Sequence, residues 1–227
     1  MSFLRHAAAV AWKDLKVELR TREVVTTMVF FAVVIVVICS FAFVEKMASV
    51  ADTTSGILWI SVAFAGSLGL ARAFDREREG STMRGLLLTP ASRGAIFVGK
   101  AVGVTVTVLI VEAVVVPLLA LLFGAPIGTN TGWLVALIVL TTVGFAIVGS
   151  VFAGMLLPTR ARAVLLPIAL YPILSPAFLA ATKGTAAIWI GGKSGLAEAE
   201  FWLKFLAVYD LSFLVTSLWA FESLVVE

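Results

Sequence analysis

Residues 25–44 read VTTMVFFAVVIVVICSFAFV, twenty residues without a single charge. A bilayer core of ~30 Å is crossed by about 20 apolar residues of helix, so this run is read as a membrane span. Five more runs of comparable length follow it: Gly56–Phe74, Ile96–Phe123, Trp133–Leu157, Ala163–Ala181 and Phe201–Phe221. The sequence therefore predicts an all-α membrane protein, one six-helix domain covering residues 1–227. Composition agrees. The chain is 61% hydrophobic and 14% charged, with a mean hydropathy of +1.08, whereas soluble domains carry roughly 45–50% apolar and ~25% charged residues. Disorder and a disulfide scaffold are excluded, because Cys39 is the only cysteine and lies inside an apolar run.

The basic residues are sorted by membrane side. Arg5, Lys13, Lys16, Arg20 and Arg22 precede the first span; Arg72, Arg76, Arg78, Arg84, Arg93 and Lys100 lie between the second and third; Arg160 and Arg162 follow the fourth. Only Lys46, Lys183, Lys193 and Lys204 fall on the other side, which puts both termini in the cytoplasm. Trp59, Trp133, Trp189 and Trp202 are then expected near the far interface as an aromatic belt. A net charge of +3, sorted in this way, leaves no nucleic-acid patch.

Residues 1–24 form an amphipathic segment, with Leu4, Ala8, Ala11, Trp12, Leu15 and Leu19 on one helical face and Arg5, Lys13, Lys16 and Arg20 largely opposite. It is read as an interfacial helix that packs against the spans, the alternative being a simple orientation signal. The segment is too long and charged for the start of a signal peptide, and no cleavage site is evident.

The most informative polar stretch is residues 75–94. Charges alternate through Asp75, Arg76, Glu77, Arg78 and Glu79, extending the second helix beyond the membrane; Gly80 can end it, and Ser81 can cap a short helix. That helix carries Met83, Leu86 and Leu87 on one side, with Arg84 between them. A solvated loop has no need of this apolar side, so the segment is read as a cytoplasmic coupling helix that docks on a partner. Lying passively on lipid is the alternative.

Gly94 to Lys100 has P-loop spacing, but Ala101 stands where Mg²⁺ coordination needs Ser or Thr, so nucleotide binding is not expected there. Gly99 with Gly103, Ala65 with Gly69 and Ser150 with Gly154 are read as close helix contacts. Glu112 and Asp210 are intramembrane carboxylates, each costing roughly 2.5–3.5 kcal/mol at a span's centre. Either they serve a polar pathway, or they are protonated or hydrogen bonded to neighbours such as Thr105, Thr107, Tyr209 or Ser212. Pro167, Pro172 and Pro176 predict a kinked or broken fifth span. Residues 182–200 are read as a periplasmic loop or a re-entrant hairpin. His6 is a polar-face residue. With no ligand cluster and no Ser/His/Asp set, neither a metal site nor catalysis in this chain is expected.

In order and spacing, several stretches resemble the CcmB family, the haem-exporter permease of the cytochrome c maturation ABC complex. They are Gly56-Ile57-Leu58-Trp59, Leu70-Ala71-Arg72-Ala73-Phe74, the acidic run with Gly80-Ser81, Leu86-Leu87-Leu88-Thr89-Pro90, and the fifth-span prolines from Leu165-Leu166-Pro167 to Pro176-Ala177-Phe178. The resemblance implies six helices of ABC-2 exporter type in the bacterial inner membrane. It also implies a non-catalytic subunit that dimerises and binds a separate ATPase, CcmA, through residues 75–88. CcmC, CcmD and the periplasmic haem chaperone CcmE would be further partners. Haem would be handled by partners, and ATP with Mg would sit on the ATPase, so no cofactor is expected on this chain. ATP hydrolysis would drive haem export or release of haem-loaded chaperone. Two alternatives are an ABC-2 exporter of a lipid or glycan, and a proton-coupled secondary transporter using Glu112 and Asp210.

Overall fold

The computed structural model describes residues 2–43, 49–79, 92–128, 130–156, 159 and 161–224, with residues 2, 75–79, 162–163 and 220–224 described by backbone alone. These form seven helices: α1 (Ser2–Thr21), α2 (Glu23–Phe43), α3 (Val50–Glu79), α4 (Arg93–Phe123), α5 (Thr131–Met155), α6 (Arg162–Ile190) and α7 (Gly192–Leu224). The last six are long and apolar enough to cross a membrane, α3 as far as Phe74 and α7 as far as Trp219. The chain is thus an all-α protein with six candidate spans preceded by an amphipathic helix.

Two spans form the interior. The apolar windows of α3 and α5 are 67% and 72% buried, against 22–33% for the other four, so α2, α4, α6 and α7 stand around them. Small side chains make this possible, since lipid supplies no hydrophobic drive and helices associate by close packing. A Cβ on Gly66 of α3 would come within 2.7 Å of the Phe145 ring of α5. One on Gly69 would strike the Met28 sulfur of α2, and one on Gly149 would strike Leu70. Trp59, Phe178 and Phe145 pack ring to ring through the middle, with centroids 6.3 and 6.2 Å apart.

The expected aromatic belt is half corrected. Trp59 and Trp189 are buried inside the bundle, and the Trp59 indole N–H donates to Thr185 Oγ1 at 3.0 Å, so α6 supplies a partner that lipid would not. Trp133 and Trp202 are only partly buried.

Of the kinked or broken fifth span that the prolines predict, the broken form does not occur. Pro167, Pro172 and Pro176 all lie inside α6, a single helix of 29 residues. Pro176 cannot donate to the carbonyl of Pro172, and Ser175 Oγ donates to that same oxygen at 2.9 Å, repairing the ladder from the side. Residues 182–200 are likewise helical except for Gly191: α6 ends at Ile190 and α7 starts at Gly192. The chain reverses on Gly191 and Gly192, with φ of +72° and +71°, a region that glycine alone enters without strain. A Cβ on Gly195 would lie 2.6 Å from the Ala187 carbonyl oxygen, which is how closely the two helices leave this turn.

Helix α1 divides its apolar residues between two environments. Ala7, Val10 and Ala11 are buried, mainly against α4, while Leu4, Trp12 and Leu19 remain exposed on the outside, where lipid would meet them. Gly99 of α4 forms the seat: a Cβ there would stand 2.6 Å from the Ala7 carbonyl oxygen and 2.7 Å from Val10 Cβ. Arg22 makes the elbow into α2 with φ of +54°, and Glu18 Oε1 accepts from Val25 N at 2.8 Å, placing a carboxylate on the first turn of α2. Packing against α4 favours the docked interfacial helix over a bare orientation signal.

Candidate functional site

The inner helix α3 does not stop with its span. It continues through Asp75, Arg76, Glu77, Arg78 and Glu79, five residues beyond Phe74. A run of charges at this density is not expected within lipid. Gly80, Ser81, Met83, Arg84, Leu86 and Leu87 lie outside the described residues.

Around the base of this extension three other elements converge. Phe74 is buried, and the Lys100 ammonium of α4 lies 5.8 Å from its ring centroid. Lys100 Nζ pairs with Asp14 Oδ2 of α1 at 2.6 Å, and its side chain is only 7% exposed. Lys13 reaches the other oxygen of Asp14 at 3.0 Å. Arg72 of α3 meets Glu23 at the start of α2 at 3.3 Å, an exposed pair that contributes little to stability. Entry helix, elbow and charged extension are thereby joined at one end of the bundle. The pairing of Lys100 with Asp14 was not foreseen from the sequence. An acid on the buried side of α1 and a lysine in an otherwise apolar span were its available signals.

The P-loop-like stretch is disposed of by the same geometry. Residues Gly94 to Lys100 are α-helical from the Ser92 cap onward, so their N–H groups close the helix instead of facing a phosphate.

The two carboxylates lie deep but apart. Glu112 of α4 is 2% exposed, and Thr142 Oγ1 of α5 donates towards it, lying 2.9 Å from both Oε1 and Oε2. The Ile138 carbonyl, 2.8 Å from the same hydroxyl, competes for its single proton. Asp210 of α7 is 7% exposed, and neither of its oxygens has a hydrogen-bond partner among the described residues. It presses on α5 at Gly144, where a Cβ would collide with Oδ1. Residues 142 and 144 point about 200° apart around a helix, so the carboxylates meet α5 on nearly opposite sides and form no dyad.

None of the four partners considered from the sequence serves: Thr105, Thr107 and Ser212 donate to carbonyls of their own helices, and Tyr209 donates to Ile173 O. Thr142→Val should lower stability by about 1 kcal/mol, since interhelical hydrogen bonds in membranes average ~0.6 and reach ~1.7 kcal/mol. Thermal unfolding in detergent checks this, and unchanged melting would mean that the Thr142–Glu112 contact contributes nothing.

No group of three or more His, Cys, Asp or Glu residues able to hold a metal ion occurs among the described residues. Six candidate spans, an inner helix prolonged into a charged extension and a docked amphipathic entry helix define a multi-pass membrane protein. The CcmB protein family matches residues 5–226, nearly the whole chain, and the chain belongs to that family. Membership makes it a haem-exporter permease subunit of the ABC type, acting in cytochrome c-type biogenesis. Comparison with curated proteins and with solved structures returns no match.

Proposed function

We propose that this chain couples ATP hydrolysis on a separate subunit, CcmA, to haem export or to release of haem-loaded CcmE. The coupling element is the segment from Asp75 to Leu88, and the subunit works as a homodimer together with CcmC and CcmD. It lies in the bacterial inner membrane with both termini and this segment in the cytoplasm, where thirteen of its 17 basic residues fall. Haem stays with partner subunits, ATP and Mg with the ATPase, and this chain is non-catalytic.

One observation carries the reading: an inner span, packed against α2, α4, α5 and α6, runs unbroken into the charged extension. A push on that extension is received by four other spans at once. Glu112 and Asp210 support the proton-coupled alternative poorly, because they meet α5 on nearly opposite sides. Purification of the tagged protein in mild detergent should recover an ATPase together with haem-handling and chaperone proteins, identified by mass spectrometry. An ATPase recovered alone would redirect the reading to an exporter of lipid or glycan, and recovery of no ATPase would overturn it.

A further inference from the structure

Beneath α1 lies a cavity of about 300 Å³ enclosed by α1, α2, α3 and α4. Its floor is apolar and buried, formed by Met28, Leu70, Val104 and Val108. Its other end is charged with both signs: Lys13 and Lys100 flank Asp14, and Glu18 stands one helical turn further on. The rim is open, because Val17 and the Lys13 side chain are about two-fifths exposed. Lys100 comes seven residues after the first residue of α4, about 10 Å along the axis. The charged end therefore sits near the boundary between headgroups and acyl chains, level with an interfacial helix.

We propose that this cavity binds one zwitterionic phospholipid with a primary ammonium headgroup, its phosphate towards Lys13 and Lys100 and its ammonium towards Asp14 and Glu18. The volume is at the lower end of ligand sites, ~300–1,000 Å³. It takes the headgroup and the upper part of one chain, and the rest of the molecule remains in the bilayer.

The charge arrangement selects the lipid class. An anionic headgroup would draw a lysine from Asp14 and leave that carboxylate with less compensation in a partly buried site. A zwitterion offers each member of the ion pair an opposite charge. A quaternary choline has no N–H to give the carboxylates, whereas a primary ammonium has three. The inference stands on this cavity alone and is independent of the coupling role proposed above.

The test presents the delipidated full chain in mild detergent with equal amounts of phosphatidylethanolamine, phosphatidylcholine and phosphatidylglycerol, and counts retained lipid by native mass spectrometry. One phosphatidylethanolamine per chain should be retained, about tenfold over either competitor. Val104→Phe fills the cavity and should lose it. Gly56→Ala, on α3 outside the cavity and with nothing within 4 Å of the new Cβ, should keep it. If Val104→Phe does not fold, the double variant Asp14→Asn with Lys100→Gln tests the headgroup reading, and its preference for phosphatidylethanolamine over phosphatidylcholine should vanish. Equal retention of the three lipids by the wild type, undiminished retention in a folded Val104→Phe, or an unchanged preference in the double variant would overturn the proposal.

Discussion

Leu86→Asp should abolish ATP-dependent release of haem-loaded chaperone while the protein inserts in the membrane at its normal level. In the short helix that the sequence predicts, Leu86 falls on the same apolar side as Met83 and Leu87. If that side docks on the ATPase, an aspartate there must either enter the contact without a partner or hold the two surfaces apart. Desolvating an uncompensated charge costs several kcal/mol. About 3 kcal/mol already removes roughly a hundredfold of an association. Gly80→Asp should act in the same direction, by replacing the residue that can end the α3 extension with one that prefers different backbone angles. Neither position lies in a span, so insertion carries no comparable penalty. A chaperone-release assay in membranes, with immunoblotting for inserted protein, reads both quantities. Normal release in the two variants would eliminate this segment as the coupling element.

The second large effect is expected at Gly99. Gly99→Leu should undock α1 from α4, because the nearest atom to the new Cβ is the Ala7 carbonyl oxygen, part of a helix backbone that cannot move alone. Overpacking of a filled contact costs typically 1–3 kcal/mol, and the Leu side chain must still displace Val10. With its seat lost, α1 still keeps the ion pair of Asp14 with Lys100 and the Glu18 contact to Val25 N. Trypsin should then cut after Lys13, Lys16 or Arg20 about tenfold faster, which corresponds to a loss of ~1.4 kcal/mol in docking. Chaperone release should fall as well, since Asp14 of α1 holds Lys100, which lies by Phe74 at the base of the α3 extension. Unaltered proteolysis would mean that α1 does not rest on Gly99.

These two positions illustrate different kinds of legibility. Leu86 and Gly80 are read in one dimension alone, as an expected apolar face and an expected helix end next to alternating charges, and both lie outside the described residues. Gly99 was singled out as one of a pair of small residues, but its partner turned out to be α1 and not another span. Small residues say that a neighbour comes close without saying which neighbour. Glu112 shows the same limit: its depth in the span is plain from the sequence, yet its partner Thr142 lies thirty residues away on α5. The hydroxyls nearest in sequence bond to their own helix instead.

The fifth span narrows its expectation. Each proline removes a backbone donor, which predicts a kink or a break; the helix is unbroken, and Ser175 supplies a hydrogen bond to the carbonyl that Pro176 leaves without its donor. Residues 182–200, read as a loop or a re-entrant hairpin, are helical apart from Gly191: two left-handed glycines turn α6 into α7.

Taken by itself, the sequence determined six membrane spans, an amphipathic entry helix and a charged extension of the second span, because each follows from local demands. Lipid requires backbone hydrogen bonds to close within a segment, the bilayer sets its length, and charge is expelled from it. Tertiary structure alone decided that α3 and α5 are the inner helices, that Trp59 and Trp189 turn inward, that Lys100 pairs with Asp14, and that Glu112 and Asp210 stand apart. Between helices that are apolar on every side, lateral order is chosen by the fit of small side chains against large ones, and such fit leaves no periodic trace along a single chain.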